Sequence, residues 1–163
     1  MSDEGTPRTG APRVFLVVVD ESVEMPVALY YASRRAMRTG GRVALLRVMP
    51  REESHALASL AALIKEEARQ EAEQLLQRLA RTVIDVTGAI PVVYLLEGSV
   101  RDELLRLITE DPTISILVLA AGTGPEGPGP LVTYLASKAV GKLRIPLTIV
   151  PGSLTREQID AIS

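Results

Sequence analysis

The chain has 163 residues, 47% of them apolar, with a net charge of −2 and a pI of about 5.5. That supplies one α/β core and leaves no basic footprint for nucleic acid. The absence of cysteine, with His55 as the one histidine, excludes disulfides, thiolate metal sites, cysteine nucleophiles and a histidine-based metal set, and fits a reducing cytoplasm.

The polar, acidic start Met1-Ser-Asp-Glu-Gly-Thr-Pro7 has no signal-peptide character, and residues 1–12 read as a disordered arm. No apolar run approaches the roughly 20 residues a membrane helix needs. Aromatic residues make up 3% of the chain, so Leu, Val, Ile and Ala must fill the core.

The first strand, Val14 to Asp20, opens with six apolar residues in a row, the pattern of a strand covered on both faces. Pro26 suits the first turn of a helix in which Val27, Tyr30, Tyr31, Arg34 and Met37 follow helical spacing up to Gly40-Gly41. Val43–Val48 is the second strand. A long helix follows from Ser54 to about Val86, its inner stripe Leu57, Leu60, Ile64, Ala68, Leu75, Leu79 and Val83. Val92–Leu96 is the third strand, and Ser99-Val-Arg-Asp102 is a capping box opening a short helix that Asp111-Pro112 stops.

Ile114–Ala120 is the fourth strand, again almost wholly apolar. A loop of Gly and Pro spans Gly122 to Pro130, then a helix runs from Leu131 to Leu143. Ile145–Val150 is the fifth strand, and the tail 153–163 has room for a short helical turn. Strands alternating with helices predict a single doubly wound parallel sheet, residues 13–152, with helices on both faces. Ligands of such sheets bind beyond the carboxyl ends of the strands, where Asp20 and Ser22 fall. Asp20 is either a ligand-contacting carboxylate or an acid capping its own loop; Ser22 reads better as a turn hydroxyl.

Val19-Asp20-Glu21-Ser22 followed by Ala28-Leu29, Glu97-Gly98 before an amphipathic helix, and Pro146-Leu-Thr-Ile-Val150 together resemble the universal stress protein family. The resemblance implies strand order 3-2-1-4-5, a homodimer joined through antiparallel fifth strands, and, in many members, ATP at the ends of strands one and four. Members that bind ATP carry G-x2-G-x9-G-[ST] after the fourth strand. Counting back from Pro146 places those positions at Ala120, Thr123 and Thr133-Tyr134, so the spacing survives without its glycines. A second register offers Gly124, Gly127 and Ser137.

Glycines let amides close on phosphate, whereas Ala, Thr and Tyr intrude on that space. The loop also carries Glu126, no Lys or Arg, and prolines at 125, 128 and 130 that remove three donors. The nucleotide set implied by the resemblance is Asp20, Ser22, Val48, Ala120, Gly122, Thr123, Gly124, Gly127, Thr133 and Tyr134. The implied dimer set is Leu147, Thr148, Ile149 and Val150.

Without a nucleophile, a base or a metal set, the sequence predicts no catalytic residue. Asp20-Glu21 looks like the acidic pair of a phosphorelay receiver, but Glu97 and Pro151-Gly152 stand where that mechanism needs an aspartate and a lysine. The expected function is a non-enzymatic, homodimeric regulatory or binding domain with a degraded nucleotide motif, without cofactor and with a protein partner. The alternative is an ATP- or other adenine-nucleotide-binding protein, in which slow ATP hydrolysis requires that ATP binds.

Overall fold

The computed structural model describes residues 11–51 and 57–163. Five strands, β1 (Val14–Val18), β2 (Arg42–Met49), β3 (Val92–Glu97), β4 (Ile114–Ala121) and β5 (Leu147–Pro151), form one parallel sheet. Their order is β3-β2-β1-β4-β5, as the resemblance implies. Every residue of β1 is buried, because it lies mid-sheet with helices on both faces.

The alternation of β1 separates two apolar layers. Val14, Leu16 and Val18 face α3 (Val100–Glu110) and α4 (Pro130–Tyr134). Phe15, Val17 and Val19 face α1 (Met25–Thr39) and α2 (Ala58–Thr87). Burial of these branched side chains, at about 25 cal/mol per Å² of apolar surface, is the main force holding the layers together.

The buried face of α1 is Met25, Ala28, Leu29, Ala32, Ser33 and Ala36, and Met37 of the expected series is exposed. The alanines win because a small side chain lets the helix lie close to the sheet. Gly41 closes this crossover: a Cβ there would stand 2.5 Å from the Arg13 carbonyl oxygen.

The expected start of the long helix at Ser54, and His55 with it, lie outside the described residues. Within α2 the expected inner stripe needs correction. Leu57 and Leu60 are exposed, and full burial is confined to Ala72, Leu76 and Val83. A 30-residue helix is about 45 Å long, whereas β2 beneath it has 8 residues, or about 26 Å. The leading turns therefore overhang the sheet.

The expected continuous helix from Leu131 to Leu143 is also corrected. Five α-helical residues give way to a π turn, Leu135–Ala139, and a 3₁₀ turn, Val140–Lys142. Leu135 and Ala139 are fully buried on the sheet, so packing holds the irregular segment in place. Beyond β5, residues Arg156–Ile162 form α5, opened by a reciprocal capping box between Thr155 and Gln158. Ile159 seats the helix in the body.

Candidate functional site

The carboxyl ends of β1 and β4 diverge, because β1 continues toward α1 on one face and β4 toward α4 on the other. A cleft of about 330 Å³ opens there. Its walls are Val18 to Asp20, Ser22, Glu24 and Met25 from β1–α1, Arg47 and Val48 from β2, Val100 and Arg101 from α3, Leu119 and Ala120 from β4, and Pro128 to Val132.

Asp20 closes its own turn: Oδ1 accepts from the Ser22 amide at 2.9 Å and from the Ser22 hydroxyl at 2.5 Å. This arrangement fixes the turn and spends one carboxylate oxygen on it. The other oxygen has no hydrogen-bond partner among the described residues.

The sequence-derived nucleotide set does not converge. Asp20, Ser22, Val48 and Ala120 line the cleft. Gly122, Thr123, Gly124 and Gly127 line a separate depression made by the β4–α4 loop with Val23, Glu24 and Gly152. Thr133 and Tyr134 line neither. The Thr133 hydroxyl donates back to the Gly129 carbonyl at 2.9 Å.

The loop closes on itself. The Gly122 amide donates to Pro128 O at 3.1 Å and the Gly127 amide to Gly124 O at 3.1 Å, so two amides a phosphate would use are already occupied. A Cβ on Gly122 would meet Gly127 O at 2.9 Å, so the loop folds back directly over this residue. Gly152 is constrained likewise: a Cβ there would lie 2.6 Å from Glu24 Cβ, where β5 leaves the sheet past the start of α1.

Two residues outside the sequence-derived set bring positive charge to the cleft. Arg47 interrupts the apolar run of β2; its Nη1 reaches the Val19 carbonyl at 3.4 Å, while its Nε is buried without a partner among the described residues. Arg101 stands in the first turn of α3, its guanidinium carbon 4.4 Å from the ring centre of Tyr134. An aromatic face holds a cation there while leaving the edge donors free. A charged residue inside a buried strand was the available signal for Arg47. Arg101 carried none, because its neighbours come from another part of the chain.

A second cavity, about 400 Å³, lies under the overhang of α2, with Arg47, Lys65, Glu71, Arg78 and Glu97 among its walls. Lys65 Nζ meets Glu97 Oε2 at 3.2 Å across it. Among the described residues, no group of three or more His, Cys, Asp and Glu side chains could hold a metal. No helix among them is long and apolar enough to cross a membrane.

Solved structures share this architecture. A universal stress protein from Lactobacillus plantarum has a TM-score of 0.69 at 17% identity, covering 86% of this chain and 99% of its own. A universal stress protein family member from Burkholderia pseudomallei gives 0.64 at 19%, covering 87% and 98%. An Arabidopsis thaliana family protein with AMP bound gives 0.56 at 13%, covering 86% and 92%. At these identities the likeness establishes the fold alone. No curated protein matches the sequence. The sequence profile described as "Universal stress protein family" matches residues 12–151, spanning all five strands, and the chain belongs to that family.

Proposed function

We propose that this chain is a homodimeric, non-enzymatic regulatory domain whose cleft admits an adenine mononucleotide and excludes a triphosphate. The observation that carries the reading is the closed β4–α4 loop, with the Gly122 and Gly127 amides already bonded and Pro128 and Pro130 in the cleft wall. A triphosphate needs a row of converging donors that this loop does not offer. At about 330 Å³, the cleft is near the lower end of the range for small-molecule sites. Universal stress proteins of the same fold hold dAMP, cAMP and AMP.

The lining of the cleft supports the non-enzymatic reading. Asp20 is tied to Ser22, and no nucleophile–base pair or metal set stands beside it among the described residues. Regulation would then act through occupancy and partner contacts.

Thermal melting with AMP and with Mg-ATP tests the reading. A ligand at a hundredfold its dissociation constant adds about 2.7 kcal/mol, or about 5–10 °C for a domain of this size. AMP is expected to give such a rise and Mg-ATP little. Equal stabilisation by Mg-ATP would show a working triphosphate cradle, and no rise with either nucleotide would remove nucleotide binding from the function.

A further inference from the structure

The first two turns of α2 carry an apolar surface that the fold does not use. From Leu57 to Ile64 the chain has no charged residue, and charge resumes at Lys65-Glu66-Glu67. Leu57 is 81% exposed, Leu60 48% and Leu63 55%. None of these leucines, nor Ile64, joins either apolar layer of the sheet. The ion pair of Lys65 with Glu97 ties α2 to the end of β3, and the leucines precede that tie.

Local stabilisation does not account for the exposure. Leu57 holds the N-cap position without a side-chain hydrogen bond, and the first turn contains no acid. A solvated overhang would carry charge on the face turned to water, as α2 does from Lys65 onward. Contiguous apolar surface on a folded domain marks contact with another molecule. Residues 1–10 and 52–56, outside the described set, contain no Leu, Ile, Val or Phe with which to cover it.

Leu57, Leu60, Ala61 and Ile64 stand at i, i+3, i+4 and i+7, the four corners of a hole in knobs-into-holes packing. Ala61 is the small corner, and Leu60 is a knob of the size such a hole takes. The face is therefore complementary to itself. A two-fold axis beside Leu60 would set two overhangs antiparallel, with each Leu60 entering the other copy's hole. We infer that a second copy of this chain docks here, overhang to overhang, independently of any contact through β5. Eight residues a side fall short of the roughly 20–30 of a stable interface, so the contact is weak, with a dissociation constant of about 0.1–1 mM.

Sedimentation velocity of the full chain from about 10 µM to about 1 mM tests it. Wild type should at least double its mass over this range. Leu60→Glu should hold the micromolar mass throughout with its melting temperature unchanged, and Leu57→Glu, at a still more exposed position, should do the same. Ile149→Lys should still double its mass, because α2 is untouched, and Leu60→Glu combined with Ile149→Lys should stay monomeric. A wild-type mass that does not rise would leave the leucines to a different macromolecule and overturn the inference. Doubling that persists in both glutamate variants, or that is lost in Ile149→Lys alone, would place the contact elsewhere and overturn it as well.

Discussion

The Tyr30 hydroxyl donates to Asp160 Oδ1 at 2.5 Å, joining α1 to a residue 130 positions later in the chain. The Arg34 Nε stands 3.0 Å from the same oxygen as an ion pair without the alignment of a hydrogen bond. Arg156 covers the other side of Tyr30, its guanidinium carbon 4.6 Å from the ring centre. The C-terminal helix is thus held by polar contacts around one phenol as well as by Ile159.

Asp160→Ala should therefore lower stability by about 1.5–3 kcal/mol, the range for a hydrogen bond to a charged group. The melting temperature should fall by about 3–12 °C. Tyr30→Phe should reproduce most of that loss, and the double variant should cost less than the sum, since both changes remove one bond. Additive losses by thermal melting would show that the two side chains act separately.

A second phenol–carboxylate pair sets a pH window. Tyr94 donates to Asp111 Oδ2. Burial, then this hydrogen bond and the Asp111 charge, push the Tyr94 hydroxyl up to about 12. Hydrogen bonds from the Thr113 hydroxyl and from Tyr94 hold the Asp111 carboxyl below its ordinary value. A raised Tyr94 contributes stability that is complete below pH 10 and lost as pH rises toward 12. A lowered Asp111 contributes stability that is present above its ordinary value of 3.8 and lost as pH falls. Denaturant titrations across pH should show that Tyr94→Phe flattens the alkaline limb and Asp111→Asn the acid limb. Limbs unchanged by both variants would remove the pair from the pH response.

Val17 and Leu117 are fully buried in β1 and β4. Val17→Asp or Leu117→Asp would place an unpaired charge in the core, at a cost of several kcal/mol, enough to abolish soluble expression. Circular dichroism of any soluble fraction checks this, and a normally folded variant would contradict the central packing of that strand.

The homodimer is expected to form through β5, the sheet edge beside β4. Ile149 is 39% exposed there, Leu147 and Thr148 are half-buried, and Val150 is turned into the core. An uncharged apolar edge invites pairing with a second copy about a two-fold axis. Ile149→Lys would set like charges near that axis and should give monomers in light scattering. A dimer that survives the substitution, or a monomeric wild type at micromolar concentration, rules out this interface.

β1 and β4 were legible because a strand buried on both faces must be apolar throughout, and strand order followed from the family resemblance. The long helix misled because its stripe continues through Leu60 and Leu57 after the sheet beneath has ended. Periodicity records which residues share a face, not what lies opposite it. The cleft was legible by position, through Asp20, Ser22, Val48 and Ala120, but not by charge. Arg47 and Arg101 are 54 residues apart in sequence and come to line one cleft only when α3 returns to the end of β2. The motif count from Pro146 treated the last helix as regular, although the structure holds a π turn within it.

That π turn lets the segment carry one residue more than a regular helix without turning its two flanks apart. An α-helix advances about 100° per residue, and a π turn contains one residue more than an α turn. Removing a single residue from Leu135–Ala139 would let the segment close as ordinary α-helix while Pro130–Tyr134 keeps its facing against the packed half. Tyr134 would therefore keep its place beneath Arg101. A one-residue deletion there is the length change this fold is built to absorb, and related sequences should tolerate it at this point more readily than elsewhere in the helix.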